Sequence, residues 1–275
     1  MDKSIIKKVG ILPGKTIAIF AGIHGNEKVG VHVIEKLYKE LVVKSGTVFL
    51  VYANPPAIEA DQRFIQKNIN RLFSQDSVES EDDVYEDIRA RELMKLLDGC
   101  NAVLDIHSYN SETGGQFAFC EPNGYDIIQK MDFPIVVSRN KPDPKLHSTT
   151  VMGYMNKRGI GICLECGTSN RAEQFVDLAV KSSYQFLQYF GNIDMVVPYD
   201  NVSQQFIKND RMLYKKNDVF RFVKDFKDFE SLPANEPFAF DGNEPLIAGK
   251  NECIFFPRPN VPAGGEVCLI GILSC

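Results

Sequence analysis

Three polar side chains capable of metal or acid–base chemistry share one kind of position, just after an apolar run. His24 lies beyond the run TIAIFA (16–21), His107 directly follows VLDI, and Glu165 directly follows GICL. Such runs are typical of buried strands, and ligands of open α/β sheets bind outside the carboxyl ends of strands. We therefore expect these three residues, far apart in sequence, to meet in one crevice.

His24 and Glu27 form an H-x-x-E pair. Side chains three residues apart on a helical turn are neighbours and can converge on one ion. Imidazole nitrogens and carboxylate oxygens are good zinc ligands, and a set of two histidines and one glutamate leaves the fourth position open for water. The spacing alone is weak evidence and favours a surface histidine beside a helix-start glutamate, so both interpretations stay open here.

The other histidines are weaker candidates. His32 falls inside a helical pattern and is expected to be structural or at the surface, and His147 falls in the exposed, proline-rich stretch KPDPKLHSTT. Asp105 precedes His107 by two residues, so both share one strand face. It is expected either to orient the imidazole as a hydrogen-bond acceptor or to be an ordinary buried acceptor.

Cys163 and Cys166 flank Glu165 in a C-x-x-C pattern, for which a redox pair and a zinc–thiolate site are alternatives. Redox pairs of this type begin a helix, whereas Cys163 lies within an apolar run, and the second matching pair that a four-cysteine zinc site needs is absent from the sequence. The seven cysteines are odd in number and irregularly spaced, which favours reduced, inert thiols in a cytosolic protein.

Two arginines follow Asn54-Pro55-Pro56, where the predicted strand TVFLVYA (47–53) ends. Arg63 has the chemistry to stabilise an oxyanion, and Asn70 with Arg71 could hold a carboxylate, the guanidinium in bidentate fashion. Taken singly, each arginine fits a surface ion pair as well.

Strand-like runs alternate with helical patterns over the first two-thirds of the chain, which predicts βαβ units. The acidic stretch 79–87 reads as the solvated start of a helix. After about Pro198, short strand candidates separated by Pro and Gly indicate antiparallel β-structure. We predict an α/β fold with a mostly parallel or mixed central sheet flanked by helices, a catalytic domain over 1–195 and a smaller β-rich C-terminal domain over 196–275.

Bulk composition excludes several classes of function. The 275 residues carry a formal net charge of −5 and show no basic stripe, so a nucleic-acid partner is not expected. The start of the chain lacks the apolar segment of a signal peptide, and no apolar run approaches the ~18 residues of a membrane span. A cytoplasmic protein without a membrane partner is expected.

Four motifs in fixed order, GIHGNEKVG, NPPAIEADQRFIQKNINRLF, DIHS and LECGT, resemble the succinylglutamate desuccinylase/aspartoacylase family. These enzymes are zinc hydrolases related to the M14 zinc carboxypeptidases. The resemblance spans about residues 10 to 175 and continues loosely into PLIAGKNECIFFPRPNVPAGGEV, which looks like the family's β-rich tail.

The resemblance implies roles for individual residues. His24, Glu27 and His107 would be the zinc ligands, with one Zn²⁺ per chain. Glu165 would be the catalytic base and proton shuttle, and Arg63 would polarise the substrate carbonyl. The substrate carboxylate would be held by Asn70 and Arg71.

This chain departs from the family pattern at one point and leaves another unassigned. It has Asn68-Ile69-Asn70-Arg71 where Asp-Leu-Asn-Arg is usual. We expect the missing acid to leave the zinc ligands untouched and to alter the substrate pocket. The family's additional basic residue would correspond to Lys157 or Arg158.

The resemblance predicts a zinc-dependent amidohydrolase that cleaves a small-molecule N-acyl amino acid into a carboxylate and a free amine. A carboxypeptidase-like metallopeptidase on the same scaffold and a non-catalytic zinc-binding protein are the alternatives. The acyl group and the amine product remain open, as does the oligomeric state, with a homodimer among the alternatives.

Overall fold

The second half of the strand that precedes His24, residues 17–21, is buried on both faces, which explains its unbroken apolar sequence. In the computed structural model this strand, β2, runs from Leu12 to Ala21. Ile17 and Ile19 pack into one hydrophobic cluster, whereas Ala18 and Phe20 pack into another on the opposite face. Alternate side chains of a strand point to opposite faces, so helices must cover both sides of this sheet.

The structure describes residues 4–74, 79–109, 115–139, 149–168 and 171–273. Its strands are β1 (Ile5–Val9), β2 (Leu12–Ala21), β3 (Ser45–Tyr52), β4 (Ala102–Tyr109), β5 (Gln116–Cys120), β6 (Ile135–Arg139), β7 (Ile160–Thr168), β8 (Gln205–Tyr214), β9 (Phe220–Phe222), β10 (Glu230–Ser231), β11 (Pro237–Asp241), β12 (Glu244–Ile247), β13 (Glu252–Phe255) and β14 (Glu266–Leu273). Its α-helices are α1 (Lys28–Glu40), α2 (Pro55–Glu59), α3 (Tyr85–Leu97), α4 (Tyr125–Ile128), α5 (Val151–Met155) and α6 (Ala172–Tyr189). Short 3-10 turns lie at Ile69–Arg71 and Pro122–Gly124.

Eleven strands form one sheet in the order β1-β3-β2-β4-β7-β5-β6-β8-β14-β13-β10. The strands β3, β2, β4 and β7 are mutually parallel, while β5 pairs antiparallel with β7. Helices α1 and α6 cover one face, where Val33 and Phe186 join the core, and α3 and α5 cover the other, where Leu93 and Tyr154 do so. The predicted α/β class, with a mixed central sheet flanked by helices, is confirmed.

Every element that the structure describes after residue 195 is a strand. β8, β14, β13 and β10 extend the central sheet through antiparallel pairs, and β12, β11 and β9 form a second, three-stranded sheet. The predicted division into two domains at 195/196 stays a prediction. Within the described residues, no helix combines the length and apolar character that crossing a bilayer requires.

The strand boundaries differ from those expected in one respect that matters for the site. His107 and Glu165 were expected just beyond their strands, but β4 and β7 continue through them to Tyr109 and Thr168. Both are therefore ladder residues, and His107 pairs directly with Glu165 in the parallel register of β4 and β7. Sheet hydrogen bonds, rather than a loop, fix the spacing of their backbones.

The turn between β2 and α1 packs against α2 so closely that it requires glycine. A Cβ on Gly25 would lie 2.0 Å from the carbonyl carbon of Ala57 and 2.1 Å from its oxygen. These are backbone atoms, which cannot rotate away. The preceding Gly22 has φ +67, the left-handed region that favours glycine.

We expect Gly25→Ala to lower the free energy of unfolding by ~1–3 kcal/mol, the usual effect of forcing extra volume into a packed site. Urea unfolding of the metal-free protein measures this. Gly99→Ala is the matched control, because a Cβ there meets only Leu96 O at 3.5 Å. Its stability should stay unchanged or rise by up to ~1 kcal/mol. Equal stabilities for the two variants would contradict the close packing at Gly25.

Candidate functional site

His24, Glu27 and His107 converge at the carboxyl edge of the central sheet. His24 lies in the turn after β2, Glu27 is the residue before the first turn of α1, and His107 lies in β4. Because β2 and β4 are parallel neighbours, their carboxyl ends reach the same edge. All three side chains are buried. The H-x-x-E pair lies on a turn, closed by the Glu27 N–H to the His24 carbonyl (3.2 Å), and not on a helix as expected.

The two imidazoles face the two oxygens of one carboxylate. His24 Nδ1 lies 2.7 Å from Glu27 Oε1, and His107 Nδ1 lies 2.9 Å from Glu27 Oε2. Their ligand atoms all lie within 4.8 Å of one another, close enough to bind one ion. Two imidazole nitrogens with one carboxylate are the ligands of catalytic zinc sites.

Glu27 is stabilised as an anion despite its burial. Burial opposes ionisation, but the charges and hydrogen bonds of His24 and His107 outweigh it and hold the pKa of Glu27 well below its usual range. The Ser108 backbone N–H (3.2 Å) and Arg63 Nη1 (3.1 Å) also donate to this carboxylate. An ionised carboxylate is the form that binds a cation.

The two imidazoles differ in the partner of their second ring nitrogen. His107 Nε2 lies 2.9 Å from Asp105 Oδ2. Of the two alternatives for Asp105, an acceptor that orients the imidazole and an ordinary buried acceptor, this contact favours the first. His24 Nε2 lies 3.2 Å from Asn68 Oδ1. Asn68 is the departure from the family pattern. The missing acid was expected to leave the proposed zinc ligands untouched. This expectation is wrong, because the Asn68 side chain contacts His24, one of those residues.

The pKa values of the two histidines shift in opposite directions. Burial lowers the pKa of His24 and outweighs the attraction of Glu27. Burial also opposes a charge on His107, but Asp105 and Glu27 flank that ring and hold its pKa well above the usual range. One neutral and one protonated imidazole are the expected state without metal.

Arg63 reaches the site from the loop that follows α2. A buried glutamate, Glu86, supports this loop by accepting the backbone N–H groups of Ile65 (2.8 Å) and Gln66 (3.3 Å). Glu86 belongs to the acidic stretch 79–87, expected to be a solvated helix start. The helix does begin there, at Tyr85, but Glu86 points inward. Nothing in the composition of this acidic stretch indicates that one of its acids supports the loop that carries Arg63.

Glu165 lines the same cavity as His24, Glu27 and His107, and it is buried. Its Oε2 has no hydrogen-bond partner among the described residues. Burial is the main cause that raises the pKa of Glu165 to about 8, helped by the Glu27 charge and opposed by His107, Arg63 and Arg258. A carboxyl with a pKa near neutrality suits proton transfer.

Asn70 and Arg71 line the same cavity at the 3-10 turn Ile69–Arg71. The buried Asn70 Oδ1 has no partner within the described part of the chain. Arg71 Nη2 lies 3.3 Å from Glu266 Oε1, on β14 of the C-terminal strands. Both residues therefore line the cavity, with Arg71 already beside an acid, and their predicted role in holding a carboxylate stays a prediction.

The cavity that contains these residues has a volume of about 430 Å³. Part of its wall is apolar and aromatic: Tyr109, Phe119, Met152, Met212, Phe256 and Leu269. A further arginine, Arg258, lines it from the C-terminal part of the chain. The expectation that Lys157 or Arg158 supplies this basic residue is not met, because both are exposed outside the cavity and Arg158 pairs with Asp98 at 2.9 Å.

The remaining candidates are two histidines away from the cavity residues described above and two buried thiols. His32 is exposed on α1 beside Glu35, and His147 lies outside the described residues. Cys163 and Cys166 are buried and free, and burial raises the pKa of both thiols. Protonated, buried thiols agree with the inert role predicted for them.

A sequence model described as the succinylglutamate desuccinylase/aspartoacylase catalytic domain matches residues 13–179. A succinylglutamate desuccinylase of Vibrio parahaemolyticus is 25% identical over 286 residues, covering 93% of this chain and 80% of that protein. A probable aspartoacylase of Nostoc sp. is 35% identical over 107 residues, which is 36% of either chain.

The fold is similar to solved structures of the same group. The crystal structure of succinylglutamate desuccinylase from Vibrio cholerae superposes with a TM-score of 0.80 at 21% identity, covering 98% of this chain and 86% of that one. This likeness supports the mixed sheet and its flanking helices.

The burial of Glu165 predicts a pH-dependent difference in stability. Its folded pKa of about 8 lies above the ordinary value of 4.5, so the folded state retains a proton that the unfolded state releases. The contribution of this group to stability is full below pH ~4.5 and is lost as pH rises through ~8. In metal-free protein, Glu165→Gln should gain stability over the unmodified chain across this window, by at most ~1.36 kcal/mol per pH unit.

Urea unfolding of both proteins between pH 5 and ~9 measures this difference. Glu173→Gln, at an exposed position on α6, is the control and should give curves parallel to those of the unmodified chain. Parallel curves for Glu165→Gln as well would show that the carboxyl is ionised when folded.

Proposed function

The chain belongs to the succinylglutamate desuccinylase/aspartoacylase family, and we propose that it is a zinc-dependent hydrolase that cleaves the amide bond of an N-acyl amino acid. One observation carries this proposal. The buried His24–Glu27–His107 cluster shares a cavity with a carboxyl of raised pKa, Glu165, and with arginines suited to an anionic substrate. The relatives named above carry deacylase names, which supports the same reaction class.

The chemistry of His24, Glu27 and His107 supports zinc as the bound metal. Two imidazole nitrogens and a carboxylate ionised inside the protein surround one point, and both histidines have an oriented second nitrogen. The alternative cluster of Asp105, His107 and Cys163 fits less well, because Asp105 already pairs with the far nitrogen of His107. Bound at the first cluster, zinc would supply a Lewis acid and a water whose pKa falls to ~7.

Glu165 is the residue proposed to move protons. A carboxyl with a pKa of about 8 is poised between its two forms at neutral pH, the condition under which general acid–base catalysis works best. It would accept the proton of the attacking water and deliver it to the leaving nitrogen. The amide C–N bond then breaks, giving a carboxylate and a free amine. Its unpartnered Oε2 leaves a lone pair available for that proton.

Arg63 is proposed to polarise the scissile carbonyl. Its guanidinium donates to Glu27 at 3.1 Å, so it already lies against the ligand cluster where charge would develop on the carbonyl oxygen. A preoriented donor of this kind is worth ~3–4 kcal/mol of barrier reduction. Asn70 and Arg71 would hold the α-carboxylate of the substrate, and the buried Asn70 Oδ1 leaves an acceptor for a substrate N–H.

Metal analysis of the purified protein is the first test. We expect about one zinc per chain, and removal by a chelator should abolish hydrolysis of N-acyl amino acids, with zinc restoring it. His107→Ala should lose stoichiometric zinc because it removes one of three protein ligands. His32→Ala, exposed on α1, is the matched control and should keep both zinc and activity. Full zinc occupancy in His107→Ala would disprove the ligand set.

Glu165→Gln separates metal binding from catalysis. The amide keeps the shape of the side chain but cannot accept the proton, so kcat should fall ~10²–10⁴-fold while zinc content stays unchanged. Glu173→Gln should retain full activity. Rates on N-acetyl and N-succinyl amino acids, compared with short peptides, distinguish the deacylase from a carboxypeptidase-like enzyme. A Glu165→Gln protein with unimpaired turnover would require another base.

A further inference from the structure

Asn209 places a buried amide in the wall of the cavity, and the oxygen of this amide has no partner. The residue is 6% exposed, and its Oδ1 accepts no hydrogen bond among the residues that the structure describes. It lines the cavity together with three apolar side chains, Phe119, Met212 and Leu269. A buried acceptor without a donor is destabilising, so an acceptor of this kind in a cavity wall indicates a ligand that supplies the donor.

The neighbouring strands explain why no side chain satisfies this oxygen. Across β14, the position paired with Asn209 is Gly271, which has no side chain. A Cβ there would lie 2.5 Å from Ile207 Cγ2, so a larger residue would crowd the strand pair. On β6, the position paired with Asn209 is Arg139, whose Nε lies 2.6 Å from Glu121 Oε1. The Asn209 oxygen is therefore available to a ligand in the cavity.

A β-bulge in β8 explains how Asn209 comes to line the cavity. The register between β8 and β14 shifts between Ile270 and Gly271, whose partners are Arg211 and Asn209. The extra residue on β8 changes the alternation of side chains, so that Asn209 and Met212 line the cavity together although they are three positions apart. The placement of the amide is thus determined by the backbone of the strand.

Asn209 lies far along this wall from the arginine proposed to hold the α-carboxylate. Arg71 contacts Glu266, and Glu266 pairs with Tyr214 on β8. Asn209 precedes Tyr214 by five positions on the same strand, which corresponds to roughly 15 Å at the usual rise of a strand. Apolar side chains of β8 and β14 line the cavity between these ends. A ligand that reaches both ends is therefore extended and largely apolar in between.

We propose that Asn209 binds a neutral hydrogen-bond donor, an O–H or an amide N–H, at the end of an extended apolar segment of the substrate. This inference rests on the proposed function, because it takes the α-carboxylate to be held by Arg71. The preferred substrate is then an N-acyl amino acid with a terminal hydroxyl or amide group on its acyl chain or its side chain. A carboxylate or a methyl group has no such proton to donate, so either would leave Oδ1 unpaired.

Sets of substrates that differ at the terminal group test the inference. On the acyl chain, N-adipamoylalanine ends in an amide, N-adipoylalanine in a carboxylate and N-(6-methylheptanoyl)alanine in methyl groups. On the side chain, N-acetyltyrosine has an O–H, N-acetyl-4-carboxyphenylalanine a carboxylate and N-acetylphenylalanine neither. In one set, kcat/KM of the unmodified enzyme should be at least ~10-fold higher for the donor member than for the others, because the others leave a buried acceptor unpaired.

Asn209→Leu keeps the branching of the side chain and removes the acceptor. The preference for the donor member should fall below ~3-fold in this variant, whereas Asn209→Asp retains an acceptor and should keep part of the preference over the methyl member. Lys208→Leu is the matched control, because Lys208 is on the same strand but is exposed and does not line the cavity. It should leave every ratio unchanged. Zinc content and thermal unfolding identify a folding defect in Asn209→Leu, in which case Asn209→Ala takes its place.

Three results would overturn the assignment. The first is an unmodified enzyme with no preference for the donor member in either set, the result expected if Arg139 donates to Asn209 instead. The second is a preference for the carboxylate member, the result expected if the amide nitrogen of Asn209 contacts the ligand. The third is a donor preference that survives in Asn209→Leu.

Calorimetry separates this inference from the proposed reaction if no acyl amino acid is hydrolysed. Zinc-loaded protein should then bind N-adipamoylalanine or N-acetyltyrosine at least ~10-fold more tightly than Asn209→Leu does, and it should bind the methyl or unsubstituted member of that set no more tightly than the variant. Equal binding of both donor compounds by the two proteins would reject the role of Asn209. The predicted difference without turnover would retain that role and reject the hydrolase.

Discussion

A buried carboxylate must be neutralised, and the organisation of this site follows from how Glu27 meets that requirement. An isolated charge of this kind inside a protein would be strongly destabilising. Here two imidazoles, one guanidinium and one backbone N–H surround it, contributed by the turn after β2, the loop after α2 and strand β4. A divalent cation bound to the same carboxylate would meet the same requirement.

The parallel strands of the central sheet place Glu165 close to the residues that surround Glu27. β4 lies between β2 and β7, so His107 stands beside both the His24–Glu27 turn and Glu165. Glu27 is surrounded by donors, whereas Glu165 Oε2 has no hydrogen-bond partner among the residues that the structure describes, and this difference separates the pKa values of the two carboxyls. Glu27 is held as an anion, the form that would bind the proposed cation, and the pKa of Glu165 is raised to about 8, which suits the proton transfer proposed for it. Environment, rather than residue type, distinguishes the two acids.

The local sequence predicted that His24, His107 and Glu165 lie close together, because each follows an apolar run typical of a buried strand. The runs before His24, His107 and Glu165 indicated parallel strands, and parallel strands place their ends together. Sequence could not predict contacts made across long separations without a repeating pattern. Arg71 meets Glu266 across 195 positions, and Glu86 supports the arginine loop from a helix that reads as solvated. Arg258 likewise reaches the cavity only because β14 and β13 continue the catalytic sheet, a topology that strand patterns alone do not specify.

The unlike partners of the two histidines give the proposed metal ligands different chemical characters. A carboxylate behind His107 favours its protonated form, so metal binding at that ring must displace a proton. An amide behind His24 orients the ring without adding charge, and burial keeps it neutral and ready to donate a lone pair. Carboxylate partners also make a ligand imidazole more basic. Because this chain has Asn68 where the family usually has an acid, only His107 receives that effect from a carboxylate. If the proposed metal binds here, its proton release would therefore be concentrated on one of the two imidazoles, that of His107.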